Sequence, residues 1–229
     1  MCGRYSLTSP PDAMRRAFEI TGALPNFARR YNIAPTQAAA VVRTTSGAPG
    51  RELALLRWGL VPSWSKGPDH RYSMINARAE TVRSKPAYRA AFLHRRCLVP
   101  ADGFYEWRRE PDGKQPYRIA LTNEEPFAFA GLWERWQGEG GDEIESFTII
   151  VTQANDTIRP IHDRMPVILP PHRHDLWLEG GPGAADEAEA LLKPFHSLSV
   201  CAYPVSTFVN NPKNDDERCI AKLDETGSR

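Results

Sequence analysis

Seven short apolar or alternating runs, at 38–43, 53–58, 117–121, 127–133, 147–152, 165–169 and 198–203, limit what this chain can build. Each has the length and the β-branched or aromatic content of a strand. Helical patterns are fewer. They fall at 10–18, with Ser9 as the expected N-cap and prolines in the first turn, and at 86–93, 154–161 and 171–178. Pro160 should end or kink the third of these, because it has no N–H to give. A short amphipathic helix is expected within 179–193, after a glycine-bearing loop, and 138–143 reads as a loop tip between strands. Strands and helices do not alternate regularly, so the pattern predicts an α+β fold, one domain over 1–229, with an antiparallel core. The last residues, 222–229, read as a frayed tail.

The 229 residues suffice for a substantial core. No run approaches the 18 or so apolar residues of a membrane span, and the start, MCGRYSLTSPPD, has no export-signal core. The four cysteines, at 2, 97, 201 and 219, show no paired short spacing. That argues against a zinc ribbon or a disulfide framework, and a cytoplasmic protein without metal is expected. His172 and His174, two apart on an expected helix, point to different faces and do not make a metal pair. Residues 1–118 hold 20 basic and 9 acidic side chains, and the remainder 9 and 19. Such a division fits a basic face for a polyanion or, equally, charges spread over separate surfaces.

Cys2 is the residue with the most distinctive chemistry. Removal of Met1 ahead of this small residue would leave an α-amine and a thiol on adjacent carbons. Together these can turn an aldehyde into an imine and then a five-membered thiazolidine. The amine, with a reference pKa of about 7.7–8, is partly nucleophilic at neutral pH.

Four other places carry candidate chemistry. In MINARAET (74–81), Asn76 and Arg78 share a face if the segment is extended; the plain alternative is a turn asparagine and a surface arginine. In RRCLVPADGFYEW (95–107), Glu106 sits between Tyr105 and Trp107. It is either an outward-facing strand residue or a desolvated carboxyl with a raised pKa. In IRPIHDRMPVIL (158–169), His162 stands in a turn beside Asp163 and Arg164, placed for acid–base work or for a loop salt bridge. YNIAPTQ (31–37) and RWGLVPSW (57–64) form a turn-rich aromatic region, in which Trp58 reads as core and Trp64 as surface.

These segments taken in order, MCGRY, YNIAPTQ, RWGLVPSW, INARAET, RRCLVPADGFYEW, FAFAGLW, IHDRMPVIL and VSTFVNNPKNDD, closely resemble the SOS-response-associated peptidase (SRAP) family from residue 2 to about residue 221. The resemblance implies a bent, barrel-like antiparallel sheet with short peripheral helices. It also implies a protein, expected to be monomeric and to need no cofactor, that crosslinks covalently to abasic sites in single-stranded DNA. By position, Cys2 would be the nucleophile and Asn76 the residue holding the abasic sugar and the Cys2 end. Glu106 would be the proton shuttle and His162 the second acid/base. Arg4, Arg78 and Arg164 would face DNA phosphates, with Trp107 near the bound strand. Two other readings remain open: a cysteine peptidase using Cys2 and His162 with Glu106 or Asn76, and a non-covalent single-strand-binding protein.

Overall fold

The computed structural model describes residues 2–45, 49–68 and 74–223. In chain order the elements are β1 (Tyr5–Leu7), α1 (Pro11–Phe18), β2 (Arg30–Ile33), β3 (Ala38–Thr44), β4 (Arg51–Trp58), β5 (Asn76–Arg78), α2 (Arg89–His94), β6 (Arg96–Ala101), β7 (Gly103–Glu110), β8 (Gly113–Leu121), β9 (Phe127–Gln137), β10 (Glu143–Gln153), β11 (Arg164–Pro166), β12 (Ile168–Leu169), α3 (His174–Leu178), α4 (Ala185–Ala190) and β13 (Val200–Pro204). None of the described helices is long and apolar enough to cross a membrane.

Two sheets share the core. The first runs β13-β8-β7-β1-β2 and is antiparallel throughout. The second runs β11-β10-β4-β3-β6-β9-β12, and β9 also pairs with β10, so five strands close a ring. The ring falls short of a true barrel. β3 meets β6 through one registered pair, Val42 with Leu98, and β10 meets β4 through two. β4 and β5 also run parallel to β10, where the sequence pattern suggested antiparallel pairing alone.

The seven strand patterns all reach a strand: five lie wholly within one, the 165–169 run is divided between β11 and β12 at Val167, and the 198–203 run enters β13 only at Val200, its first two residues lying in a 3-10 turn. Two local expectations are overturned. Ser9 does not cap α1: Pro10 occupies the cap position, while the Ser9 N–H donates to the Asp102 carboxylate at 3.0 Å. The expected helix at 154–161 is a pair of turns. Asn155 uses its side-chain oxygen on the Ile158 N–H at 3.0 Å, and Pro160 cannot extend the ladder. At the C-terminus, Lys222 bridges Val205 and the Leu223 N–H donates to Pro204, so these two residues are tied down; the rest of the expected tail, 224–229, lies outside the described residues.

Trp58 is fully buried, packed edge-on to Tyr5 and stacked with Phe147, whereas Trp64 is 67% exposed. The Trp58 indole N–H also donates to the Ile75 carbonyl at 3.0 Å, one residue before Asn76. Trp58→Phe is expected to cost about 2 kcal/mol, from lost ring volume and an orphaned carbonyl. Thermal unfolding should show this as a melting point lower by roughly 4–8 °C for a chain of this size.

Candidate active site

The position of Cys2 follows from the pairing of β1 with β7. Tyr5 lies opposite Phe104 and Ser6 opposite Gly103, and the Tyr105 N–H donates to the Arg4 carbonyl at 3.0 Å. Continued in the same register, this antiparallel pairing runs Glu106 alongside Gly3 and Cys2. β7 buries Phe104, Tyr105 and Glu106 in succession, so the carboxyl faces protein rather than water. Of the two readings of Glu106, the desolvated one holds: the residue is 3% exposed. Burial pushes its carboxyl up to about 7, which leaves it divided between acid and base near neutral pH.

Cys2 is itself fully buried, with Sγ 3.8 Å from the Arg4 carbonyl oxygen. Burial, reinforced by the neighbouring Glu106 charge, pushes its thiol far above the ordinary cysteine range. Asn76 approaches from the other sheet. Its Nδ2 donates to the Cys2 carbonyl at 2.8 Å, while its Oδ1 is buried with no hydrogen bond among the described residues. β5 is only three residues long, and β10, Trp58 and Tyr88 fix it in place. Asn76 pairs with Ile149, and the Tyr88 hydroxyl lies 3.3 Å from the Asn76 carbonyl, to which it donates.

His162 enters from the turn before β11, with Nε2 3.8 Å from Glu106 Oε2. Its Nδ1 is 3.0 Å from both the Arg164 N–H and Asp163 Oδ1. These contacts are alternatives. A neutral ring with its proton on Nε2 accepts from Arg164, whereas a protonated ring turns Nδ1 toward Asp163. Burial lowers the His162 pKa, favouring the neutral ring that aims its N–H at Glu106. The structure thus brings Cys2, Asn76, Glu106 and His162 into one constellation drawn from both sheets.

The four outer residues are divided. Arg78 is exposed, two positions along β5 from Asn76. Arg164 is ion-paired with Glu80. Arg4 donates to Asn32 Oδ1 and to the carbonyls of Val209 and Asn210, and Trp107 Nε1 donates to Asn210 Oδ1 at 2.7 Å. Arg4 and Trp107 therefore hold the turn over 207–210 against β7. Asn32 supports the same segment, its one amide donating to the carbonyls of Val209, Asn211 and Asn214. The sequence reading passed over Asn32, Tyr88 and Asp102. The available signals were a turn aspartate before a glycine at 102–103, and a buried polar residue within YNIAPTQ. His174 is buried against Phe18 and bonded to the Leu169 carbonyl, while His172 is exposed.

The family model for the SOS response associated peptidase, SRAP, matches residues 1–212. The chain belongs to the SRAP family. Among its relatives, the abasic site processing protein YoqW of Bacillus subtilis (strain 168) is 41% identical over 223 residues, 96% of this chain and 99% of that protein. The abasic site processing protein HMCES of Xenopus tropicalis is 32% identical over 265 residues, covering 97% of this chain and 78% of its own. A crystal structure of a protein from Bacteroides thetaiotaomicron superposes with a TM-score of 0.83 at 27% identity. That match covers 97% of this SRAP chain and all of the other.

Proposed function

We propose that the protein processes abasic sites in single-stranded DNA by capturing them covalently at Cys2 after removal of Met1. The observation that carries this reading is the meeting of Cys2 with one carboxyl, one imidazole and one amide, the set that imine formation and ring closure require. Relatives named for abasic site processing, at 41% and 32% identity, support the same reading.

The chemistry has two stages. The Cys2 α-amine attacks the aldehyde carbon of the ring-opened sugar, and the resulting carbinolamine loses one water to give an imine. The Cys2 sulfur then adds to the imine carbon, and the thiol proton passes to nitrogen, closing the thiazolidine. Glu106, poised near 7, can take the proton from the attacking amine and return it to the departing hydroxyl. His162, 3.8 Å from Glu106, can exchange that proton with solvent. Asn76 holds the Cys2 carbonyl, and its unbonded Oδ1 is available to a sugar hydroxyl. The raised thiol pKa favours amine attack first and disfavours a peptidase that would need a thiolate at neutral pH.

Denaturing electrophoresis and intact mass, with mature protein and an oligonucleotide carrying one abasic site, test the proposal. An adduct equal to protein plus DNA minus one water is expected. It should be absent with undamaged DNA and with an abasic site pre-reduced by borohydride, and failure to form it would refute the reading. The exposed Arg78 supplies phosphate affinity in this scheme. Arg78→Ala is expected to weaken binding and to flatten the slope of log affinity against log salt by about 0.7, the single-strand value per phosphate. The adduct rate at saturating DNA should be unchanged, as fluorescence anisotropy at several salt concentrations combined with single-turnover kinetics would show.

A further inference from the structure

β1 is a weak strand to carry a nucleophile. It has three residues, its pairing with β2 shifts register between Tyr5 and Leu7, and its pairing with β7 comprises two registered pairs. Ladders this short specify register poorly, and a slip of one residue would turn every side chain to the opposite face. A single carboxylate compensates. Asp102 is 7% exposed and sits in the turn between β6 and β7. Its Oδ1 accepts from the Ser6 hydroxyl at 2.6 Å. Its Oδ2 accepts from the Thr8 N–H, the Thr8 hydroxyl at 2.8 Å and the Ser9 N–H at 3.0 Å. Arg118 completes the node, with Nη2 3.3 Å from Oδ1 and 2.9 Å from the Asp102 carbonyl. Gly103 makes that approach possible, since a Cβ there would lie 2.6 Å from the Arg118 guanidinium carbon.

The node therefore grips Ser6, Thr8 and Ser9 at one end of a short antiparallel stretch whose other end holds Cys2 beside Glu106. We propose that Asp102, charge-balanced by Arg118, is the positioning residue that sets the register in which Cys2 is presented to Glu106. It touches none of the reacting atoms. Its effect on chemistry runs through the alignment of the N-terminal arm, and the proposal rests on the covalent-capture reading above.

Single-turnover adduct formation by Asp102→Asn and Gly103→Ala, measured against DNA concentration and pH, tests this. Asparagine keeps the shape of the side chain but loses a charged acceptor. Alanine displaces Arg118 from the other side. Both variants should form adduct at least tenfold more slowly at saturating DNA, with the half-saturating concentration within twofold of the parent. The rate inflection near pH 7 should shift or vanish, because Glu106 no longer faces the amine. Arg118→Ala should slow adduct formation likewise, and Arg118→Lys, retaining the charge, should keep part of the parental rate. A folded Asp102→Asn with the parent's saturating rate and pH profile would overturn the proposal.

If Asp102→Asn does not fold, Ser6→Ala and Thr8→Val each remove one arm contact, and parental kinetics in both would overturn it equally. Register is also readable without DNA. Hydrogen exchange at the Tyr105 amide and iodoacetamide labelling of Cys2 should both be at least tenfold faster in the variants. These DNA-free readouts separate the two ideas. Absence of adduct in the parent would sink the capture reading alone, and unchanged exchange and labelling would sink the register device.

Discussion

Cys2→Ala, with Met1 removed, is expected to yield no heat-stable adduct yet still to give an imine that borohydride traps. Alanine keeps the α-amine and so the first stage of the chemistry. It removes the sulfur that closes the ring, and an open imine hydrolyses during denaturation. Cys2→Ser should also lack a stable product, because the hydroxyl is a poorer nucleophile than sulfur and its five-membered ring reopens more readily. Without reductant, at least a hundredfold less adduct should appear on denaturing gels for either variant. Heat-stable adduct from Cys2→Ala would mean that the bond is made elsewhere on the protein. The fold should tolerate the change, since Cys2, although fully buried, lies ahead of β1 and alanine removes only its sulfur.

The second large effect belongs to Glu106. Glu106→Gln removes the group proposed to move protons and should slow adduct formation by roughly 10²–10⁴-fold, the usual contribution of a general acid–base residue. Its rate should also lose the inflection near pH 7 that the parent shows. Stability should move in the opposite direction. The folded-state pKa, about 7, stands above its reference of 4.5. Protonated Glu106 is therefore well accommodated below pH 4.5, and the fold loses that advantage as pH rises through 7. At pH 8 the buried carboxylate costs the parent on the order of 3 kcal/mol that glutamine avoids. Glu106→Gln should melt several degrees higher than the parent at pH 8, with the difference gone by pH 4.5. Equal melting points at both pH values would show that Glu106 is not held near neutrality.

Much of this architecture was legible in the chain. The longer strands announced themselves because β3, β4, β9 and β10 carry apolar runs of strand length. The three-residue β1 and β5 did not. Tyr5–Leu7 and Asn76–Arg78 are too short for a period to show, and their partners lie far away in sequence. Ser9 looked like a helix cap because the competing acceptor, Asp102, is distant along the chain. Glu106 was ambiguous for a similar reason: an alternating strand buries one face, but β7 is covered on both sides as far as Glu106. Local chemistry marked Cys2, Asn76, Glu106 and His162 among several candidates and the resemblance joined them into one site, whereas local pattern alone could not have shown that they meet. The supporting set of Asp102, Asn32 and Tyr88 acts through buried hydrogen bonds, which leave almost no trace in composition or spacing.

The two-sheet origin of the constellation has a consequence for when reactivity appears. Cys2 and Glu106 belong to one sheet and its edge, Asn76 and His162 to the other. A chain in which only one sheet has formed carries the nucleophile without its amide clamp, or the imidazole without its carboxyl. Under the capture proposal, full acid–base assistance then depends on the completed tertiary structure, and partly folded or truncated molecules should react with damaged strands only at the slower rate of an unassisted aminothiol. For a protein that, as proposed, would act once and remain attached, this dependence would favour commitment by correctly finished copies.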